Sequence, residues 1–252
     1  MARHGELDTV RRFSDRASDY VKYRPTYPAE ALSAILDGLG PPGTLVAADV
    51  GAGTGISARL LGDRGLKVIA VEPGEDMRRA AAPHPLVAWV AGTAEATGLR
   101  SEAADLVLCA QSFHWFGIPE ALAEFARILK PHRRLAIVWN RRSTSDPLTA
   151  GYRQAILDVG GEIEAERMGF DPDAVGGSGL FSPAERTAFP NFQRLDLDGL
   201  IGRAQSASYV PKTGPAGERL LDLLGALHER YADLGGFVTL VYETEVFRAQ
   251  KL

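Results

Sequence analysis

The chain has 252 residues, 45% of them hydrophobic and 24% charged, with a formal net charge of −4. This composition suits an ordinary globular protein large enough for one α/β core, and it supplies no global basic field for nucleic acid or an anionic membrane. The single Cys109 excludes an internal disulfide and a cysteine metal cluster; residues 1–8 carry no apolar leader and no later run reaches membrane-spanning length, so a cytoplasmic protein is expected.

Residues 1–12 are polar, whereas the next stretch gathers aromatic surface at Phe13, Tyr20, Tyr23 and Tyr27, with Pro25 and Pro28 stopping any helix there. Such a segment can fold over a ligand as a lid, Tyr20 lining the site and Arg24 pairing with a carboxylate through two N–H groups. It can equally be an arm that only covers the core. Pro28 then opens a helix expected over 29–39, where Ala31, Leu32, Ile35, Leu36 and Leu39 share one face.

The most informative stretch follows. Residues 45–48 are an apolar run that fits a buried parallel strand, and residues 56–61 have the apolar spacing of a helix face. Between them lie Asp49, Gly51, Gly53, Thr54 and Gly55. Three alternate glycines allow a sharp turn and the approach of a ligand to main-chain N–H groups at the helix start. A phosphate loop would need Gly-Lys-Ser/Thr, but Gly55 is followed by Ile56-Ser57. A dinucleotide fingerprint places its third glycine one residue later, so NAD fits less well. Asp49 adds negative charge, which favours a ligand bearing an ammonium or sulfonium.

A second strand over 67–71 ends in Glu72-Pro73, and Glu72 stands where a βαβ unit presents a carboxylate to ribose hydroxyls. Met77, at the start of a helix expected over 76–82, suits either the flat face of an adenine or core filling. A third strand over 87–90 leads to Gly92-Thr93-Ala94-Glu95. The fourth, 105–109, lacks alternation and is expected to be buried on both faces; its carboxyl end delivers Gln111, Ser112, His114 and Trp115 to the edge where open α/β sheets bind ligands. After a helix over 118–129, a fifth strand over 134–140 brings Trp139 and Asn140 to the same edge. Beyond it we expect a helix over 147–157 capped by Asp146, a flexible glycine-rich loop within 158–182, and a sixth strand over 181–190. A helix over 195–209, a last helix over 218–234 and a final strand over 237–247 complete the chain.

The glycine turn, the Glu72 strand end, residues 92–95 and the fourth strand resemble, in order, the successive motifs of class I S-adenosylmethionine-dependent methyltransferases. Within them, Tyr20 to Pro28, Gln111 to Phe116 and Val138 to Asn140 resemble a small-molecule group similar to trans-aconitate methyltransferase. The resemblance implies an α/β fold: a Rossmann-like, seven-stranded, mostly parallel sheet with helices on both faces and a small substrate-covering insertion. It implies one domain over 1–252, comprising a lid and helix (1–40), a cofactor core (41–140), and a substrate cover with the last strands (141–252). S-adenosylmethionine would be bound by Tyr20, Arg24, Asp49, Gly51, Gly53, Thr54, Gly55, Glu72, Pro73, Met77, Thr93, Ala94, Glu95, Gln111 and Ser112, giving S-adenosylhomocysteine as product.

A sulfonium methyl is already activated, so aligning the acceptor and excluding water can carry most of the acceleration. A carboxylate acceptor needs only donors, for which Gln111, His114, Trp115 and Asn140 are suitable types. A phenol, hydroxyl or ammonium gains from a base, and His114 is the one histidine expected there; fixing the loop through a hydrogen bond is its other reading. Two function classes stay open: a methyltransferase for a small molecule, with O-methylation of a carboxylate or hydroxyl favoured over N- or C-methylation, and a cofactor-binding protein with a non-methylating role. No metal, nucleic-acid or membrane partner is expected, and the chain is expected to be a monomer or homodimer.

Overall fold

A computed structural model describes residues 23–160, 171–207 and 210–252. Most of the expected lid, Tyr20 included, lies outside the described residues. The chain divides into two compact units, one built from residues 26–139, 171–189 and 244–252 and the other from the remaining described residues. Seven strands form one sheet in the order β3-β2-β1-β4-β5-β7-β6: β1 (Val46–Val50), β2 (Lys67–Val71), β3 (Val87–Val90), β4 (Ala104–Ala110), β5 (Leu129–Arg142), β6 (Glu185–Leu195) and β7 (Val238–Gln250). The β1/β2, β2/β3, β1/β4 and β4/β5 pairs are parallel. The expected seven-stranded Rossmann-like sheet is therefore present.

In the first unit, strand alternation explains the layering. Leu106, Leu108, Ala136 and Val138 pack with Ala31, Leu32 and Ile35 of α1 (Ala29–Leu36) and with Ala58 and Leu61 of α2 (Ile56–Asp63). The intervening Val107, Cys109, Leu135 and Ile137 pack instead with Ala121, Leu122, Phe125 and Ile128 of the α4 helix (Ile118–Ile128). Successive strand residues thus feed two cores on opposite faces. A short helix, α3 (Glu75–Ala80), follows β2. Among the described residues, no helix is long and apolar enough to cross a membrane.

Several boundaries differ from expectation. α1 stops at Leu36 rather than residue 39; Gly38 has φ +74°, and the carbonyls of Ala34, Ile35, Asp37 and Leu39 accept from Arg248, Arg134 and Arg133. These guanidinium groups replace the helical donors those carbonyls lack. β5 starts at Leu129, five residues early, because Leu129 pairs with Ala104 before the register shifts and Arg134 pairs with Leu106. In the displaced stretch Lys130 Nζ lies 2.9 Å and Arg133 Nε 3.2 Å from the buried Asp105 carboxylate. β6 runs through Pro190 instead of ending there, a position open to proline because β6 is an edge strand. The glycine-rich stretch expected as a flexible loop instead contains a short helix, α6 (Asp173–Gly177), anchored by the buried Val175.

The second unit has its own core, in which Leu148, Tyr152 and Ile156 of α5 (Pro147–Asp158) meet Leu200 and Ala204 of α7 (Leu197–Gln205), and Leu220 and Leu224 of α8 (Gly214–Tyr231). Asp146 caps α5 as expected, its Oδ1 accepting from the Thr149 N–H at 2.7 Å and from Thr149 Oγ1 at 2.5 Å. Asp146→Ala is expected to lose about 1 kcal/mol of stability in urea denaturation; an unchanged midpoint and slope would remove the cap from the account.

Candidate active site

The glycine turn joins β1 to α2 in the first unit, but its glycines serve the protein's own packing more than the sequence suggested. Gly51 has φ +69°, and a Cβ there would stand 2.6 Å from Ser112 Cβ and 3.0 Å from Phe116 Cζ. Gly55, at φ +76°, would place a Cβ 2.8 Å from Trp89 Cζ2. The N–H groups are engaged as well. Those of Gly51 and Ala52 both donate to Val71 O, that of Gly53 to Glu72 Oε2 at 2.8 Å, and that of Gly55 to Ala52 O. The turn is thus a knot tying β1, β2 and the loop after β4 together, with the N–H groups of Gly51, Ala52, Gly53 and Gly55 engaged within the protein.

Glu72 is the centre of that knot. Its Oε1 accepts from the Gly74 N–H and its Oε2 from the Gly53 N–H, both at 2.8 Å. Burial raises its pKa, while the Gly74 and Gly53 N–H groups and Arg78 oppose the rise. Each oxygen keeps a further lone pair, so the fixed carboxylate can accept two ribose hydroxyls. Pro73 follows directly, its carbonyl accepting from Arg78 Nη1.

Asp49 is fully buried beneath the first turn of α2. Its Oδ2 accepts from Ser57 Oγ at 2.7 Å. Burial pushes the carboxyl up to about 7, with the Ser57 hydroxyl and the Ala58 N–H pulling it back and Glu72 adding to the rise. At neutral pH it is therefore only partly charged. Its Oδ1 and Thr54 Oγ1 are buried with no hydrogen-bond partner among the described residues. These orphaned atoms beside the Glu72 carboxylate suit a polar nucleoside carrying hydroxyl and ammonium donors.

The loop after β4 closes on the same turn. Gln111 takes φ +58°, unusual for a non-glycine residue, and its N–H donates to Val138 O at 2.9 Å. Ser112 Oγ donates to Val50 O at 2.9 Å, so this side chain fastens the loop to β1. Phe113 is buried, and its ring meets that of Phe116 at 5.9 Å. His114 faces the other way, its ring 4.4 Å from Trp115 and 4.9 Å from Trp139.

The other expected site residues are more scattered. Thr93 and Ala96 exchange main-chain hydrogen bonds, Ala94 is buried in the core, and Glu95 Oε1 accepts from the Gly117 N–H at 2.7 Å, tying residues 92–95 to the loop that carries His114. Met77 is buried, as its core-filling reading requires. Asn140 and Arg24 lie in the second unit, where Asn140 Oδ1 accepts from Asn191 Nδ2 and Arg24 Nη2 donates to Ser206 O. Sequence reasoning brought Phe116 and Trp139 to this edge without giving either a role, and left Trp89 out. The signal for Trp89 was its place as an aromatic residue in β3.

Residues 48–137 match the model of a family described as a methyltransferase domain. An uncharacterized methyltransferase of Mycobacterium tuberculosis is 41% identical over 133 residues, 52% of each chain; the chain thus spans about half the length of the curated relatives it matches. Among solved structures, a protein named as a type II methyltransferase from Anaeromyxobacter dehalogenans aligns with TM-score 0.64 at 24% identity, over 91% of this chain and 98% of that one. A phosphoethanolamine N-methyltransferase of Haemonchus contortus, solved with S-adenosylhomocysteine, aligns with TM-score 0.55 at 16% identity, over 97% of this chain and 59% of that one. At these identities the structural likenesses establish the fold.

Proposed function

We propose that this chain is a class I methyltransferase that transfers a methyl group from S-adenosylmethionine to an oxygen of a small molecule. The observation that carries the reading is the docking of the 111–116 loop on the glycine turn, with Ser112 Oγ bonded to Val50 O and the Phe116 ring against Gly51. It sets residues 111–116 beside the glycine turn within one unit.

When bound, the cofactor supplies a methyl group activated on a sulfonium. Glu72, held by two N–H groups, receives the ribose, and the orphaned Asp49 Oδ1 and Thr54 Oγ1 take polar groups of the ligand directly or through water. Residues 93–95 supply main-chain groups for the adenine. On the acceptor side, Gln111 and Trp115 orient the nucleophile, and His114 accepts a proton from a hydroxyl acceptor or donates to a carboxylate one.

Titration calorimetry of the purified chain with S-adenosylmethionine, S-adenosylhomocysteine and NAD tests it. Both adenosyl ligands are expected to bind and NAD is not; NAD binding alone would overturn the reading. Gly53→Arg puts a long side chain where φ is +56° and beside Glu72. It is expected to weaken S-adenosylmethionine binding by at least about 100-fold, close to 3 kcal/mol, and retained affinity in a folded variant would show the cofactor site to be elsewhere. Turnover that consumes the acceptor without forming S-adenosylhomocysteine would favour a non-methylating role.

A further inference from the structure

The rings of Trp139, in β5, and Trp115, in the loop after β4, both meet that of His114, and the function proposed above gives Trp139 no task. Neither ring pair stacks face to face: the interplanar angles are 42° for His114 with Trp115 and 63° for His114 with Trp139. The three rings therefore form an aromatic cluster whose contacts to His114 are tilted and edge-on, here called the wall. Trp115 is 44% exposed, while Phe113, two residues earlier, is 1% exposed. The loop thus buries one aromatic side chain in the core and leaves a larger one half in water. An indole left so exposed forgoes much of the burial that usually stabilises it.

The wall is also fixed at the reaction edge. Ser112 is bonded to β1, Phe116 stands against the glycine turn, and Gln111 is bonded to Val138, the residue before Trp139. Every member of the wall is thus one or two residues from an atom touching the turn or the adjacent strand. Charged side chains hold small anionic acceptors, whereas aromatic faces reward flat ones. Offset or edge contacts between rings add about 0.5–1.5 kcal/mol beyond area alone.

Resting on the methyltransferase reading, we propose that the acceptor is a planar aromatic compound carrying its oxygen on the ring, held by Trp115 and Trp139, with Trp139 a specificity-determining residue. The ring lies against the indoles, which brings its oxygen towards the adjoining His114. An aliphatic carboxylate of similar size makes no such contacts and is discriminated against.

Equilibrium dialysis of the full chain saturated with S-adenosylhomocysteine, using 2-naphthol as the planar probe and hexanoate as the aliphatic one, tests this. We expect 2-naphthol to bind at least about ten-fold more tightly than hexanoate, and Trp115→Leu to remove about ten-fold of that affinity. Trp139→Phe, which keeps a ring at the half-buried position, is expected to weaken 2-naphthol by a few-fold and leave hexanoate unchanged. Both variants should bind S-adenosylhomocysteine as the wild type does, which also reports that they are folded. Equal binding of the two probes, or 2-naphthol affinity unmoved in both variants, would overturn the planar acceptor while leaving the methyltransferase reading intact. Failure of the wild type to bind S-adenosylhomocysteine would instead overturn the reading beneath it.

Discussion

Replacing Gly51 by alanine is expected to cost about 2–4 kcal/mol of folding free energy. Two effects add. An L-residue at φ +69° is strained, and the new methyl would stand 2.6 Å from Ser112 Cβ, so either the loop after β4 or the strand end must shift. Urea denaturation checks the figure. The companion variant Ser112→Gly removes the clashing carbon but not the backbone strain, so the double variant should recover part of the loss that the two single variants sum to. A Gly51→Ala protein within 0.5 kcal/mol of wild type would mean that the loop does not press on the turn. Because the same turn holds Glu72 through the Gly53 N–H, the variant is expected to lose cofactor affinity as well.

The second large effect is in the pH dependence of stability. The Asp49 carboxyl has its pKa raised from an ordinary 3.8 to about 7 by burial. Between those values the folded state holds a proton that the unfolded state has released. The carboxyl's contribution is therefore fully present below pH 4 and is lost as pH rises through 7. Asp105 and Glu124 act with the opposite sign. Both are buried, which on its own raises their pKa, but for Asp105 the Val46 N–H and Lys130, and for Glu124 Arg127 and Thr97, hold it below the usual range. These groups are common to the wild type and Asp49→Asn and cancel in the difference between them. Whatever constant the amide costs, Asp49→Asn is expected to gain on the wild type by about 3–4 kcal/mol between pH 4 and pH 8. A difference independent of pH would show that Asp49 titrates normally.

The two readings of Asp49 show how far local sequence reaches. An acid ahead of a glycine turn marks a βα junction, and β1 and α2 stand where the pattern put them. Its charge was another matter. Sequence alone gave a carboxylate facing a cation, because nothing in residues 45–57 reveals how completely neighbouring elements exclude water. The glycines are a similar case. Their spacing signalled close approach, which is present, but Ser112 and Phe116 are some sixty residues further along the chain and Trp89 more than thirty, so the sequence could not say that protein would fill two of the three places.

Boundaries failed for related reasons. Pro190 reads as a strand stop, yet an edge strand has one side without ladder partners and carries it. Lys130 and Pro131 read as the link between helix and strand, whereas the early pairing of Leu129 with Ala104 and the pull of buried Asp105 on Lys130 and Arg133 draw that stretch into β5.

By itself the sequence determined the order of strands and helices, the parallel core of β1 to β4, the glycine turn and the carboxylate at the end of β2, because apolar period, turn chemistry and capping are properties of neighbours in the chain. Only the tertiary structure decided that β7 lies between β5 and β6, that the N–H groups of Gly51, Ala52, Gly53 and Gly55 are engaged internally, and that His114 meets two tryptophan rings. Those outcomes depend on which distant residues share a face, and on how much water their packing excludes.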